Sequence, residues 1–135
     1  MNEMELKERT KAFAKRVLKV VDALADTPKC RVIAYQLTKA GTSVAANYRA
    51  ACRARSLAEF IAKLGIVEEE ADESAFWLEI IVDDEILPVK LLEGLLQEAN
   101  EITAIMSASR ITAKRSANRQ SPIKNRKSGA SHGLA

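Results

Sequence analysis

Five carboxylates crowd into six residues at Glu68-Glu69-Glu70-Ala71-Asp72-Glu73. On a helix Glu69 and Glu73 share a face, and so do Glu70 and Glu73. Carboxylates placed in this way bind Mg²⁺ or divide acid and base duties between them. That chemistry needs further partners, and the sequence offers none. The single histidine is His132, close to the C-terminus. No Gly-x-Gly-x-x-Gly or Gly-Lys-Ser/Thr loop cradles a phosphate, and no nucleophile stands with a base. The favoured reading of Glu70 and Glu73 is therefore structural: pairing with basic or polar side chains of neighbouring helices. Glu68 lies nearest the apolar seam of its helix, which suggests a buried polar group with a partner.

The cations form three groups. Lys7, Lys11, Lys15 and Lys19 recur at steps of four and make one stripe on a helix. Arg49, Arg53 and Arg55 flank Tyr48. Guanidinium groups beside an aromatic ring suit RNA, where both can stack on bases. Tyr48 is favoured as a core residue with its hydroxyl at the rim, and the arginines divide evenly between RNA contact and ion pairing or solvation. Lys114, Arg115, Arg119, Lys124, Arg126 and Lys127 lie in a stretch rich in Ser, Asn and Gly. Basic arms of this kind bind phosphates or serve only as solubilising tails, and the sequence leaves both readings open.

Charge is segregated along the chain. Residues 1–58 carry 12 basic and 5 acidic groups, residues 59–106 carry 2 and 13, and residues 107–135 carry 7 and none. A formal net charge of +3 hides this pattern. The halves can attract each other within the fold or across subunits, or the basic half can present a polyanion-binding surface.

A chain of 135 residues makes one ordinary domain. Apolar residues make up 47% but aromatics only 4%, which suits closely packed helices better than a β-sandwich. With His132 alone, His-based triads, His-ligated zinc and Glu-x-x-His di-metal sites are excluded from the domain. The charged N-terminus has no signal-peptide core, and no apolar run approaches the roughly 20 residues that span a bilayer. A cytoplasmic location, no membrane contact, no metal and no cofactor are expected. Cys30 and Cys52 are 22 residues apart. On one continuous helix that is about 33 Å, so both are expected as buried free thiols rather than a disulfide.

The elements that must position these groups are helices. Leu6, Phe13, Val17, Val20 and Leu24 place the first over residues 4–25, supported by Glu3–Lys7 and Glu5–Arg9 pairs. Thr27 is a natural N-cap before Pro28, and the second helix runs over 28–53. Its inward set is Cys30, Ile33, Leu37, Ala40 or Gly41, Val44, Tyr48 and Ala51. Gly41-Thr42-Ser43 could kink it, but small residues also admit a close neighbour, and a continuous helix is favoured. Ser56 and Glu59 read as a capping box. The third helix covers 57–82, with Leu57, Ile61, Leu64, Ala71, Ala75, Leu78 and Val82 along its seam. The fourth covers 89–111, with Leu92, Leu95, Ala99, Ile102 and Met106. Trp77, Ile80, Ile81, Leu91, Leu96 and Ile105 widen the apolar arcs of the last two helices and suggest a subunit interface. Residues 1–112 thus predict an all-α, antiparallel up-down-up-down four-helix bundle. Residues 113–135 predict a disordered basic tail.

The run Thr42-Ser43-Val44-Ala45-Ala46-Asn47-Tyr48-Arg49-Ala50-Ala51-Cys52-Arg53-Ala54-Arg55-Ser56 resembles the signature of a bacterial family of small four-helix-bundle proteins, the 23S rRNA intervening-sequence proteins. Glu59-Phe60-Ile61-Ala62-Lys63-Leu64-Gly65-Ile66 and Glu70-Ala71-Asp72-Glu73-Ser74-Ala75-Phe76-Trp77-Leu78 continue the resemblance through the third helix. It implies a left-handed bundle, a homopentamer and no enzymatic activity. It also implies similarity to the accessory protein of diversity-generating retroelements, which partners a reverse transcriptase and RNA. Asn47, Tyr48, Arg49, Arg53, Glu59, Glu70 and Glu73 fall at the family's recurrent polar positions. Asn47, Tyr48, Glu59, Glu70 and Glu73 are taken as a structural polar network. Ala50 stands where the family usually has Glu, and Glu68 where it usually has an apolar residue. The functional expectation is a non-enzymatic homo-oligomer that contacts RNA, ribosomal RNA included, or a ribonucleoprotein. Its rivals are a purely structural or protein-interaction assembly and an accessory to a reverse transcriptase.

Overall fold

A computed structural model describes residues 1–120 of the chain. It contains four helices: α1 Glu3–Asp22, α2 Pro28–Cys52, α3 Leu57–Asp83 and α4 Val89–Gln120. The chain is all-α over the described residues. Each helix packs on its sequence neighbours, and α1 also meets α4, though far more sparsely. None of the helices is long and apolar enough to cross a membrane.

Local chemistry sets the helix boundaries. Asn2 caps α1, accepting the Glu5 N–H at 2.8 Å, and the Glu5 carboxylate accepts the Asn2 N–H at 2.9 Å. This reciprocal box satisfies two otherwise orphaned donors. Glu5 is consequently not the partner of Arg9 on the helix surface, although Glu3 does pair with Lys7 at 3.5 Å. Thr27 accepts the Cys30 N–H at 3.3 Å, and Pro28 fills the first turn of α2, as the sequence predicts. α3 closes with two bonds that define a Schellman ending: Ile86 N–H to Ile81 C=O at 2.9 Å and Glu85 N–H to Val82 C=O at 3.0 Å. Glu85 takes a φ of 53°, the left-handed conformation that usually falls to glycine.

The inward set predicted for α2 is buried throughout. α2 runs unbroken through Gly41, where a Cβ would stand 2.7–3.0 Å from three atoms of Val17. Gly41 is therefore a point of close approach between α1 and α2, not a hinge. On α3 the seam is shifted: Leu64, Val67, Ala71, Ser74, Ala75, Leu78 and Ile81 are buried, whereas Leu57, Ile61 and Val82 lie at its margin. α3 packs against both α2 and α4, so its buried arc is wider than a single seam. Thr10 and Ser74 are buried polar residues, and each hydroxyl donates to a carbonyl one turn back, Leu6 and Glu70, at 2.8 Å.

The fourth helix is longer than predicted and runs past both Ile111 and the expected bundle–tail boundary at 112/113. α4 continues to Gln120. Ala113 is buried, and with Ala108, Ser109, Thr112 and Ser116 it lies beside Leu57 and Phe60 at the start of α3. Residues 113–120 contain neither glycine nor proline, so nothing stops the helix once Ala113 has a place to pack. Lys114, Arg115 and Arg119 are helical residues. Lys124, Arg126, Lys127 and His132 lie outside the described residues.

Candidate nucleic-acid interface

The helices gather cations at one end of the molecule. The end of α2, the start of α3 and the last turns of α4 meet there, as the shared surroundings of Leu57, Phe60 and Ala113 show. The start of α1 lies at this end too, with Glu3 beside Tyr48 and Cys52, and residues 1–12, 46–66 and 104–120 together hold eleven basic and four acidic side chains. The α1–α2 and α3–α4 links meet at the other end, where Lys29 Nζ lies 2.6 Å from Asp84. Residues 18–36 and 76–95 there hold seven acidic and four basic groups. Bases and acids balance over residues 1–120, so Lys124, Arg126 and Lys127 account for the whole net charge of +3.

Among the described residues, three interhelical links consume specific cations. Arg9 forms a fork on Glu98, with Nε and Nη2 each 2.7 Å from a carboxylate oxygen, and Nη2 also reaches Glu101 at 2.7 Å. This ties α1 to α4. Arg110 Nε donates to Glu68 at 2.9 Å, joining α4 to α3. Lys29–Asp84 is the third. Glu68 is thus a half-buried polar group with a partner, as its place near the seam predicts. The Gln97 amide and then Arg9 hold the Glu101 carboxyl below its ordinary range.

Lys11, Lys15 and Lys19 are exposed along α1, and only Lys7 of that stripe has an acid within ion-pair distance among the described residues. Arg49, Arg53 and Arg55 are exposed and have no acidic partner within 4 Å among the described residues. Arg53 and Arg55 share an open pocket with Ala46, Ala50, Glu59 and Lys63. Lys63 is absent from the sequence-derived set of candidate cations. Its signal was the short link between α2 and α3, which places residues 46 and 63 side by side. Lys114 lines a different groove, beside Glu68, Glu69 and Asp72. Arg115 and Arg119 are exposed, with Arg119 donating to Ser116 Oγ at 3.3 Å.

The polar network is only partly as predicted. Asn47 donates to the Ser43 carbonyl at 3.0 Å within its own helix. Tyr48 is buried in the core. Burial, and then the neighbouring Cys52, push its phenol well above the usual range, so it is a neutral packing residue. Cys30 and Cys52 are free thiols, Cys30 buried and Cys52 partly so. Ser56 accepts the Glu59 N–H at 3.0 Å, but Glu59 reaches the N–H of Arg55, at 3.4 Å, rather than that of Ser56.

Glu70 and Glu73 do not pair with basic groups of adjacent helices. Among the described residues neither has a cation within 4 Å, and Glu73 accepts only a long 3.5 Å bond from Trp77 Nε1 on its own helix. Glu73 is exposed, and half-buried Glu70 has only Lys39 within electrostatic reach on α2. Burial, with Glu73 adding to it, pushes the Glu70 carboxyl up. An acid with a raised folded-state pKa costs the fold most when ionised. Glu70→Gln is therefore expected to raise the denaturation midpoint at neutral pH. The gain is full above the raised value and vanishes below the ordinary carboxylate range; thermal melts at pH 7 and pH 3 check the sign.

Among the described residues, no three His, Cys, Asp or Glu side chains come together in a metal-holding group. A family model described as 23S rRNA-intervening sequence protein matches residues 2–108. The fold is similar to a crystal structure of a protein with unknown function from the S23 ribosomal protein family of Bacteroides thetaiotaomicron. The TM-score is 0.75 at 31% sequence identity, covering 82% of this chain and 98% of that one. No curated protein gives a significant match. With four helices in the expected order and a family match spanning the bundle, the chain belongs to the 23S rRNA-intervening sequence protein family.

Proposed function

We propose that the protein is a non-enzymatic, cytoplasmic, homo-oligomeric scaffold that binds RNA through the cationic end of an antiparallel up-down-up-down bundle. The observation that carries this reading is the group Arg49, Arg53, Arg55 and Lys63, gathered at one end with no ion-pair partner among the described residues. Unpaired cations held together by a rigid fold favour a polyanion. The family's name, which refers to sequences within 23S rRNA, supports RNA as that polyanion.

Self-association rests on exposed apolar side chains. Tyr35, Phe76 and Leu91 are 64%, 50% and 62% exposed. These residues lie on α2, α3 and α4, so apolar surface is spread around the bundle rather than confined to α3 and α4. Between α1 and α4, where packing is sparse, Val20, Ala23, Leu87, Leu91, Leu92 and Leu95 line a groove of about 360 Å³. Repetition of one cationic end in a ring multiplies weak phosphate contacts, provided one RNA spans several subunits.

Light scattering is expected to give a mass several times the 14.8 kDa of the chain, five times for a pentamer. Fluorescence anisotropy with labelled RNA is expected to show binding that tolerates sequence changes and weakens steeply with salt, because counterion release drives it. Truncation after Gln120 removes Lys124, Arg126 and Lys127 without touching α4, and it is expected to flatten the salt slope. A monomer that ignores RNA at about 50 mM salt, where the electrostatic contribution is strong, would refute the reading.

A further inference from the structure

Where α2 passes into α3, the surface carries a shallow, open pocket of about 540 Å³. Ala46 and Ala50 line it from α2, and Arg53, Arg55 and Lys63 bring three cations to it. Two alanines one turn apart keep the space open, since any longer side chain there would project into it. Among the described residues Glu59 is the one carboxylate in the lining, and the local backbone holds it: Oε1 accepts the Arg55 N–H at 3.4 Å, beside the Ser56 cap at 3.0 Å. None of the three cations has an acid within 4 Å among the described residues. The negative end of α2 and the positive end of α3 meet at the same link, so their dipoles offset and the side chains set the sign of the pocket. With Glu59 set against the three cations, the lining keeps an excess of two positive charges, which a phosphate would neutralise.

We infer that this pocket binds a phosphate group of a polyphosphate or of a nucleic-acid backbone, with Arg53, Arg55 and Lys63 as its ligands. Arginine presents a planar fork that matches phosphate oxygens in pairs, and lysine adds a mobile point charge. The pocket is open to solvent, so a phosphodiester can reach the cations while its sugar and base stay outside. Among the described residues no aromatic ring lines the pocket, so any base stacking falls to the guanidinium planes of Arg53 and Arg55, which accept every base alike. Recognition is therefore of the backbone and tolerant of sequence. The choice of RNA as the source of the phosphate rests on the function proposed above; the pocket's affinity for phosphate does not.

The test uses the full chain and two probes, a fluorescent oligouridylate and inorganic tripolyphosphate. Ala50→Glu sets a carboxylate into the pocket from its floor. Arg53→Ala and Lys63→Ala remove cations at exposed or half-exposed positions, so a folding failure of the first variant leaves two others. Arg31→Ala is the control: it also removes one positive charge, but from an exposed pair with Asp26 at the opposite end. Ala50→Glu is expected to weaken both probes by about tenfold or more, equivalent to about 1.4 kcal/mol. Arg53→Ala is expected to lower the salt slope for oligouridylate by about 0.7, the value for one phosphate contact on a single strand. Arg31→Ala should leave both probes unchanged.

Oligouridylate binding that ignores all three pocket variants overturns the pocket and leaves RNA binding to other cations. Tripolyphosphate binding that is lost in Ala50→Glu, without any oligouridylate binding, upholds the pocket and removes RNA as its ligand. An intact protein that binds neither probe overturns both readings.

Discussion

Gly41→Ala is expected to lower the urea midpoint, although alanine is the better helix former. Alanine favours a helix over glycine by about 1 kcal/mol. At Gly41 the new Cβ would stand 2.7 and 2.8 Å from the two Val17 methyls and 3.0 Å from the Val17 Cβ. Val17 is fully buried and β-branched, so it has no free rotamer into which to retreat. Relief must come from moving α1 away from α2, and overpacking of this kind costs about 1–3 kcal/mol. The steric cost exceeds the propensity gain, and Gly41→Val should reach the upper end of that range. Gly65 provides the opposite case. A Cβ there meets only Arg110 Cδ at 3.7 Å, an ordinary contact. Gly65→Ala is expected to stabilise by about 1 kcal/mol. The same sign for both alanine variants would contradict the packing argument.

Arg9→Met is expected to cost about 2 kcal/mol, less than a fully buried ion pair because its groups keep some contact with water. The side chains of Arg9 and Glu98 are 22% and 16% exposed. Removing the guanidinium strands the Glu98 carboxylate without its counter-ion. It also leaves two acids, Glu98 and Glu101, that had shared one cation. The link matters more because α1 and α4 touch so little elsewhere. If stranding is the cause, Arg9→Met/Glu98→Leu should recover most of the loss, since an apolar pair replaces a half-buried ionic one at little cost. Urea denaturation of the two variants checks this. Glu101 adds a pH dependence: its carboxyl is held low, so its share of stability is present above the ordinary carboxylate range. That share is lost as pH falls through the lowered value. Arg9→Met should make that loss smaller.

Much of the bundle was legible because one periodic stripe decides most of a helix. Every inward residue predicted for α2 is buried, and the Thr27-Pro28 start was visible in two letters. α3 was read less well. Its arc touches two neighbours, so Val67 and Ile81 are buried while Leu57 and Val82 sit at the margin. The end of α4 was missed for a different reason. Apolar spacing stops near Ile111, but propagation depends on propensity and on one small buried foothold, Ala113. Asn2-x-x-Glu5 was a readable capping box that the apolar pattern did not require. Charged partners were the hardest to read. Glu68 was conspicuous as a polar residue near a seam, yet nothing local names Arg110 as its partner 42 residues away. Arg9 looked like a partner for Glu5 and is instead claimed by Glu98 and Glu101. Such choices depend on the register between helices, which sequence spacing does not state.

The separation of charge between the two ends makes the bundle an electric lever. Over residues 1–120 the charges cancel in sum, so a distant charge acts on that part mainly as a torque, while Lys124, Arg126 and Lys127 supply the net pull. A 27-residue helix spans about 40 Å, which sets the length of the lever arm. At about 0.01 M salt the screening length is about 30 Å, comparable with that arm, and an approaching polyanion can turn the molecule before touching it. At physiological ionic strength the screening length is about 8 Å, so orientation is chosen only within the last water layers. Dilute salt therefore speeds productive encounters through rotation as well as attraction, and part of any measured salt dependence belongs to the approach rather than to the bound state.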